Sequence, residues 1–166
     1  MSAVRPSMVG RVPAGAAGTR ATLKIMAALV RQYRISQHVR DLALRIVARL
    51  PEKRYLDELE AMRQWVQSHV RYTRDVHGVE TIHTPDAVIE LRQGDCDDQA
   101  TLLATLLESV GMRTRFVAVG PTSSNFAHVF AEAYIQGYGW VPAETTEPVP
   151  LGWRPQMAAE MIEEVR

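Results

Sequence analysis

The sole cysteine of this 166-residue chain, Cys96, lies where a thiol could act as a nucleophile. Gly94 interrupts the chain just before it, and Asp95 is placed to cap a helix that begins at Cys96. A thiol in the first turn of a helix lies near unpaired N–H groups and the positive end of the dipole, which favour the thiolate. Asp97 and Asp98 act in the opposite direction, because nearby carboxylates raise a thiol's pKa. Alternatively, Cys96 is a small buried side chain behind an acid-rich helix start.

Two residues further along the chain could complete a nucleophilic site. His128 shares one face of a predicted strand with Phe126 and Phe130, where it could also be an ordinary core residue. Glu144 follows the next predicted strand, and pairing around a turn at Gly137 would bring it within about one residue pair of His128. A carboxylate there would orient the imidazole, and the imidazole would take the thiol proton. This is the arrangement that acyl transfer through a thioester requires.

Four more residues are candidates for the same cleft. Gln93, three residues before Cys96, could donate its amide to an oxyanion, or it could be a plain loop residue. We expect Asp95, Tyr138 and Trp140 to border the cleft, although aromatic side chains at these positions are equally consistent with packing.

Helices are predicted to precede these residues. Residues 1–20 combine Gly, Ala, Ser and Pro with Arg and show no period, which predicts a flexible basic arm outside the core. Apolar residues recur at helical spacing over 22–50 and again over 57–70, so we expect one broken or two consecutive helices ending at Pro51, and then another helix.

An antiparallel sheet is predicted to follow the nucleophile helix. The expected elements are a weak strand or extended loop over 79–84, a helix start at 84–86, a helix over 96–110 ending at Gly111, strands over 113–119, 127–136 and 138–142, and a short acidic helix over 156–165. Helices followed by an antiparallel sheet indicate an α+β fold, with the nucleophile helix packed on the C-terminal sheet. We therefore predict one domain over 21–166, made of leading helices (21–71), a motif core (72–146) and a tail (147–166) that covers the cleft or binds a partner.

Three motifs in this order resemble the transglutaminase-like superfamily. They are GDCDDQA at 94–100, HVFAE at 128–132 and GWVPAETT at 139–146, within about residues 72–146. The resemblance implies a papain-like cysteine-enzyme core, of a small bacterial or phage type. It also implies that Cys96 is the nucleophile and His128 the general base and acid, and it places Glu144 where the family usually has Asp.

Two positions depart from the family pattern. Phe130 stands where Trp is common, and Glu144-Thr145-Thr146 replaces Asp-Pro-Thr. The extra methylene of Glu changes its reach to the imidazole without removing its role. Many bacterial relatives resemble peptidases or amidases, so the resemblance implies a cysteine hydrolase that needs no cofactor and acts on an amide bond of a peptide or peptidoglycan-type substrate. A cross-linking acyltransferase and a catalytically degenerate interaction module are the alternatives.

The balance of 19 basic and 19 acidic residues hides an uneven distribution of charge. Residues 1–54 carry 11 basic and 2 acidic side chains, a net charge of +9, and residues 55–166 carry 8 and 17, a net charge of −9. This division predicts an acidic catalytic core with a basic accessory layer. The basic half is a solvated helix face or docks on an acidic protein partner. The sequence argues against nucleic acid as a partner, because no set of stacking aromatic residues accompanies the arginines and the rest of the chain is acidic.

Membrane and metal sites are not expected. The longest apolar stretch near the start, Ile25–Val30, is too short to cross a bilayer and lacks a signal cleavage site, so we expect a cytoplasmic protein or a phage-particle component. A single cysteine excludes an intramolecular disulfide. The spacing of His69, His77 and His83 matches no tight pair of zinc ligands, which argues against a metal site.

Overall fold

A computed structural model describes residues 7–10, 13–75 and 80–166 of the chain. Its helices are α1 (Gly15–Tyr33), α2 (Gln37–Val47), α3 (Tyr55–His69), α4 (Pro85–Leu91) and α5 (Cys96–Ser109). Its strands are β1 (Ser7–Gly10), β2 (Arg71–Tyr72), β3 (Glu80–His83), β4 (Gln93–Gly94), β5 (Thr114–Gly120), β6 (His128–Ile135), β7 (Gly139–Ala143) and β8 (Ala159–Glu164).

A four-stranded antiparallel sheet of order β7-β6-β5-β8 carries the helices on one face. Helix α5 packs on β6 and contacts each of the other four helices. Two short pairs, antiparallel β1–β3 and parallel β2–β4, flank this core. The predicted α+β fold, with the nucleophile helix on a C-terminal antiparallel sheet, is confirmed.

Helix α5 lies at the centre of the fold because apolar residues surround it. Leu102, Leu103, Leu106 and Leu107 are all fully buried, so neighbours cover both the sheet side and the helix side. A helix that is apolar around its circumference is stable only in such a position. Gly111, at φ +93°, ends the helical segment at the position predicted from the sequence.

The β6–β7 hairpin pairs around Gly137 as predicted. Ala131 lies opposite Ala143 and Ile135 opposite Gly139, which places Glu144 just past the end of β7. On the other side of β6, Val119 of β5 lies opposite His128. The register therefore brings His128 and Glu144 to the same end of the sheet.

The two ends of the described chain differ from the prediction. Helix α1 begins at Gly15, and residues 7–10 pair with β3, so the predicted arm boundary at residue 20 lies too far along the chain. The predicted acidic helix over 156–165 is wrong, because residues 159–164 form β8 against β5. Ile162 packs on the small apolar cluster of the outer sheet face, a long-range contact that local sequence does not reveal.

Arginines of the basic half bind the C-terminal strand of the same chain. Arg20 donates to the carbonyl of Ile162 at 3.0 Å and lies 3.4 Å from Glu163, and Arg31 donates to the carbonyl of Val165 at 2.8 Å. Part of the basic layer thus holds β8 on the core. Among the described helices, none is long and apolar enough to cross a bilayer.

Candidate active site

The start of α5 fixes the position of Cys96. Asp95 accepts from the Asp98 N–H at 3.1 Å, and the Asp98 carboxylate accepts from the Asp95 N–H at 3.2 Å, a reciprocal capping box. Gly94 is required here, since a Cβ on it would lie 2.6 Å from the Asp98 Cβ. Asp98 also accepts from the His83 backbone N–H at 2.8 Å and pairs with its Nδ1 at 2.9 Å. The nucleophile helix is thereby anchored to β3 and β4.

His128 and Glu144 are hydrogen-bonded. The Nε2 atom of His128 lies 2.5 Å from Oε2 of Glu144, whose other oxygen accepts from the N–H groups of Thr145 and Thr146 at 2.9 and 2.8 Å. The Thr146 hydroxyl donates to the same oxygen at 2.9 Å. The Glu144 side chain therefore folds back toward the backbone of the next two residues. The extra methylene of Glu gives the carboxylate the reach to do so.

The environment keeps Glu144 ionised although its exposure is only 1%. Burial alone would raise its pKa, but the hydrogen bond and charge of His128, with the donors of Thr146, outweigh burial and lower the pKa below its ordinary value. An ionised carboxylate accepts a hydrogen bond from the Nε2–H group and so selects the tautomer in which Nδ1 is the basic nitrogen.

Cys96 and His128 line one cavity of about 210 Å³. Its other walls come from α1, the start of α5, strands β5 and β6 and the connection between them: Thr19, Thr22, Leu23, Asp97, Ala118, Phe126, Ala127 and Val129. The Cys96 thiol donates to the Asp97 carboxylate at 3.7 Å, and the backbone N–H of Val129 also reaches the sulfur. The sulfur thus lies beside the residue that follows His128.

The Cys96 thiol is neutral at rest. Burial raises its pKa, and the negative charges of Asp97 and Asp95 raise it further, while the Val129 N–H only partly opposes them. The carboxylates act together with burial, and the backbone N–H groups that favour the thiolate do not outweigh the two. Asp95 itself has its pKa raised to about 7, first by burial and then by Asp98. A neutral thiol at this position could act as a nucleophile only if a base took its proton.

A second cavity of about 480 Å³ meets the first at Ala127 and His128. One wall is polar, with Tyr72, Arg74 and Glu147, and the tail supplies an apolar wall of Val149, Trp153, Pro155 and Met157. The tail therefore lines one wall of this cavity, and its predicted role of covering the cleft or binding a partner stays a prediction. A substrate chain could run from one cavity to the other past His128.

Arg63, which the sequence did not single out, holds the loop after Glu144. This α3 arginine is 3% exposed and donates to the carbonyls of Glu144 and Val149, both at 3.1 Å. Glu60 neutralises it through two contacts of 2.6 and 2.7 Å. An arginine on the apolar face of the helix, beside Met62 and one turn before Val66, was the available signal.

Three of the predicted cleft residues lie outside both cavities. The Gln93 side chain accepts from Arg71 at 3.1 Å, and its role as an oxyanion donor stays a prediction. Trp140 packs edge-on against Tyr134, and Tyr138 is 68% exposed near the turn of the hairpin. Both aromatic residues lie at the opposite end of β6 from His128, about 20 Å along the strand, which corrects their predicted place beside the cleft. Asp95 stays close to Cys96 as the helix cap.

Within the described ranges, no three His, Cys, Asp or Glu side chains are grouped so that they could hold a metal ion. His69 stacks on Trp65 with ring centroids 4.5 Å apart, and His83 pairs with Asp98. His77 lies outside the described residues.

Comparison with protein families gives one match. The family model described as the transglutaminase-like superfamily matches residues 40–145, more than half of the chain and all of the segment from Cys96 to Glu144. A search of curated proteins found no match.

Two solved structures share the fold. A candidate cysteine protease from Cytophaga hutchinsonii is 23% identical, with a TM-score of 0.54 over 72% of this chain and 42% of that one. A candidate protease from Parabacteroides distasonis is 14% identical, with a TM-score of 0.59 over 75% of this chain and 26% of that one. This chain thus spans less than half the length of either structure.

Proposed function

Because this chain belongs to the transglutaminase-like superfamily, we propose that it is a cysteine-dependent hydrolase with Cys96, His128 and Glu144 as its triad. One observation carries the proposal: a buried, ionised Glu144 binds Nε2 of the histidine that shares a cavity with the thiol. This is the relation among nucleophile, base and orienting carboxylate that acyl transfer needs.

The reaction starts from the neutral thiol. Nδ1 of His128 takes the proton as Sγ of Cys96 attacks the amide carbon, and the carbonyl electron pair moves onto oxygen. When the carbonyl re-forms, the C–N bond breaks and His128 gives its proton to the leaving amine, which leaves a thioester. Water then attacks the thioester with His128 as base, and the carboxylic acid and the thiol of Cys96 are released. Glu144 keeps its charge throughout and stabilises the imidazolium.

The substrate we propose is a peptide or peptidoglycan-type chain. A cavity of about 480 Å³ is in the size range of ligand sites and is large enough for an amino-acid side chain and its neighbouring backbone. The wall formed by Val149, Trp153 and Met157 favours an apolar side chain in that cavity. We therefore assign the choice of substrate side chain to the tail, residues 147–166.

The test is acylation of Cys96 by p-nitrophenyl acetate. Wild-type protein should release one p-nitrophenolate per chain in a rapid phase, with an acetyl group located on Cys96 by mass spectrometry, and Cys96→Ser should lose both signals. Adding dansylcadaverine separates the fates of the thioester, because hydrolysis gives acetate and cross-linking chemistry gives the dansyl amide. Acylation of Cys96 no faster than in the unfolded chain would overturn the proposal and favour the interaction module.

A further inference from the structure

The smaller cavity, which holds Cys96 and His128, has a carboxylate in its wall. Asp97 follows the nucleophile in the first turn of α5, and its carboxylate accepts a hydrogen bond from the Cys96 thiol at 3.7 Å. No lysine or arginine is among the described residues that line this cavity. His128, the other titratable group of the wall, is paired with Glu144. Asp97 thus brings a negative charge to the cavity, directly beside the sulfur.

The rest of the wall suits a long side chain with a charged end. Leu23, Ala118 and Val129 are buried apolar residues of the wall, and Thr19 and Thr22 of α1 line it as well. The volume of about 210 Å³ is less than half that of the larger cavity, so it admits one side chain. The methylene stem of a lysine-like or arginine-like chain packs on apolar surface while its charged end stays among polar groups.

In the free protein, Asp97 disfavours the nucleophile. Its charge adds to burial in raising the pKa of the Cys96 thiol. The helix start does not depend on it, because Asp95 and Asp98 form the capping box between them. A cation bound beside Asp97 would offset this charge and make the thiol easier to deprotonate once substrate is in place. A carboxylate at this position therefore has a use if the substrate is cationic.

We propose that the smaller cavity binds a cationic side chain of the substrate, an alkylammonium or a guanidinium, and that Asp97 is the residue that selects it. Because the cavity contains Cys96, that side chain belongs to a residue next to the scissile amide, on its acyl or its amine side. The inference rests on the proposed function and adds a charge requirement to the apolar preference of the larger cavity. Asp97 determines specificity and transfers no proton.

Two esters of matched length and shape test the acyl side. The p-nitrophenyl ester of ε-guanidinocaproic acid carries a cation, and that of ε-ureidocaproic acid is its neutral counterpart. Wild type should acylate Cys96 with the guanidino ester about tenfold faster, measured by rapid release of p-nitrophenolate. Asp97→Asn keeps the shape of the side chain and removes its charge, so both esters should react equally fast with it. Acetylation by p-nitrophenyl acetate shows that this variant keeps its site, and Asp57→Asn, in α3, is the control.

Two matched amines test the amine side. Agmatine and N-carbamoylputrescine each have a primary amine, but only agmatine has a guanidinium at its far end. The amine nitrogen attacks the carbonyl carbon of acetyl-Cys96, the C–S bond breaks, and the proton lost by nitrogen returns to the thiol through His128. If the cavity serves this side, wild type should form about tenfold more N-acetylagmatine than the acetylated urea, counted by mass spectrometry, and Asp97→Asn should form equal amounts.

A preference in either arm that Asp97→Asn abolishes supports the inference, and each other outcome counts against it. Wild type that shows no preference in both arms would overturn it while the triad stands. A preference that persists in Asp97→Asn would also overturn it, and its loss in Glu147→Gln would assign the cation to the larger cavity. If neither p-nitrophenyl acetate nor the longer esters acylate Cys96, the proposed function fails and the inference fails with it.

Discussion

At the scale of single residues, the carboxylates around Cys96 set how the site works. Asp95 and Asp98 cap α5, while burial of the sulfur and the charges of Asp97 and Asp95 raise the pKa of the Cys96 thiol and keep it protonated. A standing thiolate would not need His128 as a base. In the proposed mechanism the neutral thiol does need this base, and the ionised Glu144 suits His128 to the role.

Asp97→Asn should make Cys96 more reactive to simple alkylation. A like charge beside a thiolate raises the thiol's pKa, so its removal lowers that pKa and increases the thiolate fraction at neutral pH. We expect iodoacetamide labelling at about pH 7.5 to rise roughly three- to tenfold, and its rate-against-pH curve to move to lower pH. Asp57→Asn, in the first turn of α3, is the control. Identical curves for Asp97→Asn and wild type would contradict this electrostatic account.

The sequence was informative about residues that act through local structure. Cys96 follows a cap, and Glu144 follows a strand whose register the turn at Gly137 determines, so both could be placed from the chain alone. Tyr72 and Arg63 could not, because each reaches the site from a segment more than 20 residues away in the chain. Their positions depend on packing between elements.

At the scale of elements, prediction from the sequence succeeded where the spacing of apolar residues and nearby turns determine the element. It failed where a strand forms only by pairing with a segment far away in the chain. Helix α5 and the β6–β7 hairpin follow from apolar spacing and from Gly111 and Gly137. Strand β8 has an acid-rich sequence of low β propensity, and it exists because β5 offers an unpaired edge. Trp140 and Tyr138 were misplaced although the predicted register around Gly137 already puts both near the turn, at the opposite end of the hairpin from His128 and Glu144.

The close contact of β5 with the connection before β6 makes Gly120 indispensable. A Cβ on Gly120 would lie 1.9 Å from the Asn125 carbonyl oxygen, so Gly120→Ala must push that connection away from the sheet. We expect the free energy of unfolding in urea to fall by about 2 kcal/mol, and acetylation of Cys96 to slow because His128 begins β6. Thr122→Ala, on the surface of the same connection, should change neither quantity. Wild-type stability of Gly120→Ala would show that the connection is not packed as described.

The bridge from α3 to the loop after Glu144 depends on Arg63. Arg63→Met removes the donors to the Glu144 and Val149 carbonyls and leaves Glu60 without its cation. We expect a loss of about 3 kcal/mol in the free energy of unfolding, and slower acetylation even at temperatures where the variant is fully folded. Gln64→Ala, which removes another partner of Glu60, is the control. A stable but slow variant supports positioning of Glu144, whereas a folded variant with the wild-type rate would contradict it.

At the scale of the whole molecule, arginines of the basic N-terminal half bind groups of the acidic C-terminal half within the fold. Arg20 and Arg31 bind the C-terminal strand, and Arg34 and Arg166 both contact the buried Glu108. Thr19, from the basic half, lines the cavity of Cys96. The division into an acidic catalytic core and a separate basic layer is therefore incomplete.

Deletion of residues 1–20 should damage both stability and the site. It removes the first turns of α1, the Thr19 wall and the two contacts of Arg20 with β8. We expect a lower Tm and slower acetylation of Cys96. Arg20→Gln should lower only the Tm, and by less than the deletion does. A deletion that leaves both quantities unchanged would restore the view of residues 1–20 as an independent arm.

The transfer of the thiol proton to His128 is the central claim, and stopped-flow acetylation of Cys96 tests it most directly. The rapid release of p-nitrophenolate should be measured for wild type, His128→Ala and Glu144→Gln, with acetyl-Cys96 counted by mass spectrometry. We predict that both variants acetylate at least about 10²-fold more slowly than wild type while they stay folded. Folded variants that acetylate Cys96 at the wild-type rate would contradict it.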